Sequence, residues 1–231
     1  AKYNDTSRAD CNLKIPIWQI VRASTAAPVF FPPEVIQWDP ADESKAFVFV
    51  DGGLTPYNNP AFLLSRMATE PEYRLNWASG EDKLLVVSVG TGAAPVLVED
   101  VNDPDRGLLG NVAALPSALM YAAMVDQDTN CRSIGRCVHG APLDREIGDM
   151  IPRDKDGKMT PLSQDFGRRF IYARYNADLS REGLNALGLP DIKPENVQKL
   201  DSIVYIEDLR QVGRKVAEEI KIEHFGNFTS R

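Results

Sequence analysis

What this chain lacks sets its first bounds. No apolar run in its 231 residues approaches the roughly 18 consecutive residues that a membrane-spanning helix needs. Basic charge is in deficit, 26 Lys and Arg against 33 Asp and Glu for a net charge of -7. This argues against a nucleic-acid partner, which normally demands a basic face. The same deficit weakens electrostatic attachment to an anionic membrane and leaves open only transient contact through an apolar patch. Cysteine is scarce: Cys11, Cys131 and Cys137 are too few and too scattered for a disulfide framework. Reduced thiols lean toward the cytoplasm, with the compartment otherwise open. Histidine is scarcer still, and neither His139 nor His224 stands at a spacing that pairs a nucleophile with its base.

What is present suits one sizeable domain. Hydrophobic residues make up 43% and charged residues 26%, ordinary globular values. Ile15 to Ala26 reads as a short helix with Ile17, Ile20 and Val21 on one face, and Pro28 forces the exit. Phe47 to Val50 is a continuous apolar run of the kind buried on both faces of a sheet. Asn58 or Asn59 is placed to cap a helix with Pro60 at its first position, and Phe62, Leu63 and Met67 supply its inward face. Lys83 to Val89 is a second buried strand, and Arg169 to Tyr175 a third. Gly107 to Val125 has a helical pattern with a kink at Pro116. Gly140 to Gly167 reads as an excursion, and Leu209, Val212, Val216 and Ile220 mark a final amphipathic helix. Strand and helix in alternation predict an α/β sheet with helices on its faces.

The most informative stretch joins two segments. The run ending at Val50 stops at Asp51-Gly52-Gly53, which puts a carboxylate at a strand tip, where ligands bind in open α/β sheets. A carboxylate that is partly desolvated rises from its reference pKa near 3.9 and becomes a usable base. Glycines beside it permit a sharp turn and leave room for substrate. Asp-Gly is also a hairpin-turn signal, but a Pro-rich connection follows here instead of a second alternating strand. Upstream, Ala23-Ser24-Thr25-Ala26-Ala27-Pro28 leads through Phe30-Phe31-Pro32-Pro33 into the same region.

Together with Asn58-Asn59-Pro60, these segments resemble the patatin-like phospholipases, serine lipid acyl hydrolases. The resemblance implies a three-layer α/β/α sheet and a Ser–Asp dyad with Asp51 as general base, Gly52 and Gly53 supporting the motif. Leu84 to Gly92 looks like a second family strand with its Gly-Thr-Gly loop, and Val125-Asp126-Gln127 is similar in placement to a region of bacterial members. The family's Gly-x-Ser-x-Gly elbow and glycine-rich oxyanion loop do not occur here. Ser88 lacks the leading glycine, and Ser24 reads as a cap or packing residue. In the family both elements precede the block near Ala23, so residues 1–231 are expected to be the C-terminal portion of one patatin-like domain, with the early strands and the nucleophile outside the chain. Approximately 1–130 would be the motif-bearing core, 131–168 an excursion or lid, and 169–231 the closing strand and C-terminal helices. The implied substrate is a lipid acyl ester, and no metal or organic cofactor is needed.

Other residues carry blander expectations. Gly90-Thr91-Gly92 reads as a chain reversal. Cys131, Cys137 and His139 lack a fourth zinc ligand and a familiar spacing. Asp154, Asp156 and Gly157 lack the later ligands of a calcium loop, and Arg168-Arg169 reads as a surface pair at a strand entrance. Phe30, Phe31 and Leu54 could help admit a fatty chain but are expected to be core instead. Two functions remain from different classes: an acyl hydrolase completed from outside these residues, or a non-catalytic binding or regulatory module derived from a patatin-like domain.

Overall fold

The computed structural model describes residues 4–28, 30–39, 41–94, 108–160, 167–199 and 202–229. The expected helix start at Gly107 and residues 161–166 of the excursion lie outside them. The chain is a mixed α/β structure, and its described residues form two separate sheets.

The first is a small antiparallel ribbon. Helix α1 (Ile17–Ser24) precedes β1 (Glu34–Gln37) and β2 (Ala46–Phe49), which pair with Val35 opposite Val48. Gln37 closes their connection by donating Nε2 to the carbonyls of Asp39 and Asp42. The Trp38 ring packs edge-on to Phe47 at 5.0 Å and against Phe49 at 5.8 Å, while its Nε1 donates to Asn12 Oδ1.

This corrects the expectation of a strand buried on both faces. Val48 is 68% exposed and Phe47 52%, because β2 has one partner strand and Trp38 covers only part of one face. The helical spacing of Ile17, Ile20 and Val21 holds, yet all three are exposed and only Ala23 of α1 is buried. Phe30 and Phe31 also lie outside the core. Their backbone N–H groups both donate to the Ala27 carbonyl, and this turn leaves both rings at the surface, with Arg22 over the Phe31 ring.

The second sheet holds the core. Helix α2 (Ala61–Thr69) leads to β3 (Leu85–Val89). The long α3 (Leu108–Ile134) runs through Pro116 and delivers the chain to β4 (Arg136–His139). After the excursion comes β5 (Ile171–Tyr175), and the strand order β3-β5-β4 is parallel throughout. Every residue of the central β5 is buried. On one sheet face Tyr172, Cys137 and Leu84 pack with Ala61, Phe62, Cys131 and Ile134 from α2 and α3. On the other, Ile171, Ala173 and Tyr175 meet Val216 and Phe228. Val216 belongs to α6 (Ile206–Ala217), which follows α4 (Arg181–Ala186) and α5 (Pro194–Val197). Val212 of α6 is buried with Leu184 and Val197, as the amphipathic spacing of the tail requires.

The excursion begins at Gly140 and not at 131, since 131–134 complete α3 and 136–139 form a strand. Within its described residues only isolated bridges occur, Asp144 with Gly148 and Arg153 with Met159. Gly90-Thr91-Gly92 is not a chain reversal either. Gly90 N–H donates to Tyr175 O and Ala93 N–H to Ala177 O, so the segment continues alongside the extension of β5.

Candidate functional site

Asp51 follows the end of β2, and its N–H donates to Ala26 O at 2.9 Å. That bond joins the Ala23–Pro28 block to the Asp-Gly-Gly tip. One carboxylate oxygen, Oδ1, accepts from Gly53 N–H at 2.6 Å, so the side chain caps a single 3₁₀ turn, Gly52–Leu54. Neither glycine has a positive φ, and the conformational freedom expected of them is not used. Gly53 matters for space: a Cβ there would lie 3.0 Å from Asp51 Oδ1. The carboxylate is half-buried, and among the described residues no serine hydroxyl hydrogen-bonds to it.

Asn59 ties this motif-bearing region to the parallel sheet. It is 1% exposed, and Pro60, not Asn59, is the residue preceding the first turn of α2. Its Oδ1 accepts from Ala61 N–H at 3.4 Å and from Ser88 Oγ at 2.9 Å. The Ser88 hydroxyl accepts in turn from Arg174 Nη1 at 2.7 Å. Ser88 is therefore a buried link between an amide and a guanidinium, with no base on its oxygen. Ser24 is an exposed last residue of α1.

A hollow of ≈ 230 Å³ opens where the carboxyl ends of the three parallel strands meet, the usual ligand position in such sheets. Its wall includes Arg174 of β5, Asn176 and Asp178 just after it, Tyr121, Asp128 and Arg132 of α3, and Leu143 of the excursion. Arg132 is fully engaged: Nε and Nη2 donate to Asp128 at 2.9 and 2.8 Å, and Nη1 donates to the carbonyls of Ala141 and Asp149. Burial opposes its charge, but the Asp128 carboxylate prevails and raises the guanidinium pKa. Burial together with the Asp178 charge keeps the Tyr121 phenol above its ordinary pKa. Asp51 does not line this hollow.

Residues 1–65 match the family model described as patatin-like phospholipase. The match covers the first 65 of the chain's 231 residues. Comparison with curated proteins and with solved structures returned no match. The patatin-like stretch contains Asp51-Gly52-Gly53 and Asn58-Asn59-Pro60. It ends inside α2, before the parallel sheet begins.

The remaining candidates settle into structural roles. Burial pushes the Cys131 thiol up to about 12 and Cys137 up to about 11, holding both protonated. Among the described residues no three His, Cys, Asp or Glu side chains are grouped to hold a metal. Asp154 Oδ1 accepts from the N–H groups of Asp156 and Lys158, a self-capped turn. Arg168 donates to Ser133 O and Arg169 to Thr69 Oγ1, at the entrance to β5. Arg174 and Asn176 were missed from the sequence. The usable signal is a charged residue inside an otherwise strand-like run, Ile171-Tyr172-Ala173-Arg174-Tyr175, since a buried charge is the informative exception.

Proposed function

We propose that residues 1–231 form the C-terminal portion of a patatin-like lipid acyl hydrolase domain, with Asp51 as general base of a Ser–Asp dyad. The serine and the oxyanion loop would be supplied from outside these residues. In this reading the serine hydroxyl passes its proton to Asp51 as its oxygen attacks the acyl carbonyl. The protonated Asp51 then returns that proton to the departing alcohol oxygen, and the acyl-enzyme yields to a water activated by the regenerated carboxylate. The substrate class is an acyl ester of a phospholipid or other lipid. The sheet, packed by helices on both faces, would be part of the family's three-layer α/β/α arrangement.

The observation that carries this reading is the position of Asp51 within the patatin-like stretch. Gly53 N–H holds one carboxylate oxygen, which fixes the group and leaves Oδ2 as an acceptor for a donor from elsewhere. The exposed Trp18, Phe30 and Phe31 supply apolar surface for transient contact with a lipid interface. The second reading, a non-catalytic module, is favoured by one specific fact: among the described residues Asp51 meets no nucleophile.

Asp51→Asn in the full reading frame separates the two. The amide oxygen still accepts from Gly53 N–H, so folding is expected to survive. Loss of a positioned base is expected to lower lipid-ester hydrolysis by about 10²–10⁴-fold. The 231 residues alone are expected to leave p-nitrophenyl esters intact. A full-length protein with no esterase activity, or one indifferent to Asp51→Asn, overturns the hydrolase assignment and leaves the module.

A further inference from the structure

We propose that the hollow at the carboxyl ends of the parallel strands binds an oxyanion, a carboxylate or a phosphate, on the guanidinium of Arg174. This site is separate from Asp51 and does not rest on the hydrolase reading.

The chain has three buried arginines, Arg132, Arg136 and Arg174, among its described residues. Arg132 has the Asp128 carboxylate in a two-pronged bond. Arg136 has Glu81 at 3.8 Å and donates to Thr160. Arg174, 6% exposed, meets neither carboxylate nor carbonyl among the described residues; its one hydrogen bond there runs from Nη1 to the neutral Ser88 hydroxyl. A guanidinium carries five donors, and a buried charge is costly unless an opposite charge or strong acceptors meet it. Arg174 lines the hollow, so an anion entering there would meet a largely buried guanidinium whose other N–H groups have no protein partner among the described residues.

The wall is shaped to keep that group in place. A Cβ on Gly90 would lie 1.9 Å from Asn176 Oδ1 and 2.7 Å from Arg174 Nη2. Only glycine at 90 lets both side chains lie against the end of β3. Asn176 spends its Oδ1 on Gly92 N–H at 3.0 Å. Its Nδ2 points to the Met124 sulfur at 3.9 Å, a weak acceptor that an oxyanion would displace. Tyr121 lines the same hollow, and a phenol is a further donor type. Asp178, the one exposed carboxylate of the wall, would repel an anion. The oxyanion is therefore assigned to Arg174, the wall's other carboxylate, Asp128, being held by Arg132. Planar guanidinium suits carboxylate and phosphate alike through paired N–H···O bonds.

The test is a titration of the purified protein with sodium phosphate and, separately, sodium acetate, against sodium chloride at matched ionic strength. Thermal midpoint and calorimetric heat are the readouts. Phosphate or acetate is expected to raise the midpoint above the chloride control, and the arm that responds identifies the oxyanion. Arg174→Met removes the charge while Ser88 keeps its bond to Asn59. It is expected to fold at least as stably in chloride and to lose the oxyanion response. Should Arg174→Met fail to fold, Arg174→Lys keeps the charge without the fork and is expected to bind about tenfold more weakly. No response beyond chloride in the unaltered protein overturns the proposal. So does an undiminished response in Arg174→Met, or unchanged affinity in Arg174→Lys.

Discussion

The first 65 residues and the parallel sheet are opposites. The former carry the patatin-like signature, yet their buried residues are few and mostly small: Cys11, Ala23, Ala26, Ile36, Asn59, Ala61 and Ser65. The sheet region buries Phe170, Ile171, Tyr172 and Leu184 almost completely but lies beyond the family match. Recognition and core therefore sit in different places. Motif residues such as Asp51-Gly52-Gly53 are fixed by local hydrogen bonds and by the chemistry they would perform. Core residues are fixed by volume, which many sequences fill equally well. Asn59 belongs to both worlds, a motif residue hydrogen-bonded to Ser88 of the sheet.

The contrast is easiest to break in the sheet half. Asp128→Ala strands Arg132, 2% exposed, without its carboxylate. Removing one partner of a buried pair typically costs about 3–5 kcal/mol, and urea unfolding is expected to show a loss of that order. A loss below about 1 kcal/mol, the scale of exposed pairs, would mean that the buried pair contributes no more than a surface one. Ile171→Val removes a single methylene from the central strand at 1% exposure. The expected cost is about 0.5–1.5 kcal/mol, read from the same unfolding curves.

A further effect, in one pH window, tests how the C-terminal segment is held. His224 Nδ1 meets the Tyr175 hydroxyl at 2.8 Å, and its ring stacks on His139 at 4.6 Å. Glu219 reaches His139 Nε2 at 3.2 Å, while Glu223 and Lys221 flank His224. Burial first, and the neighbouring His139 second, lower the His224 pKa below its ordinary 6.5. The unfolded chain then binds the proton more readily than the folded one. The contribution of His224 is full above pH 6.5 and is lost as pH falls through that value and then through the lower folded one. Unfolding midpoints at pH 7.5 and 5.5, about a unit either side of the ordinary value, are expected to converge in His224→Gln. Equal pH dependence in both proteins would remove His224 from the account.

Legibility in the sequence followed how far each element's physics was local. The helices at Ile17–Ser24 and Ile206–Ala217 show as periodicity and the strand at Leu85–Val89 as an apolar run, and their positions hold; the burial expected of that strand does not, since β3 lies at the sheet's edge with Val87 and Val89 exposed. The strand Arg136-Cys137-Val138-His139 was hidden because a buried arginine and a histidine make it read as polar. Glu34–Gln37 was hidden because it is four residues of an exposed ribbon. For the site, Asp51 was legible as a motif and its contact with Gly53 follows from the turn. The hollow around Arg174 was not, because it brings together the ends of strands separated by tens of residues, which no local pattern records.

The smallest expected effect bears most directly on the first region. Val48 and its cross-strand neighbour Val35 are both exposed, so Val48→Thr keeps the β-branch and places the new hydroxyl in water. Surface substitutions of this kind usually stay within about 0.5 kcal/mol, and the unfolding midpoint is expected to be unchanged. If another surface covers the ribbon in solution, the hydroxyl is buried without a partner and the penalty rises to about 1–3 kcal/mol. Repeating the unfolding at increasing protein concentration then separates the cases. A penalty that grows with concentration identifies a second copy as the cover. A penalty independent of concentration places the cover within the chain itself, and the opposition between a bare motif region and a packed sheet no longer holds.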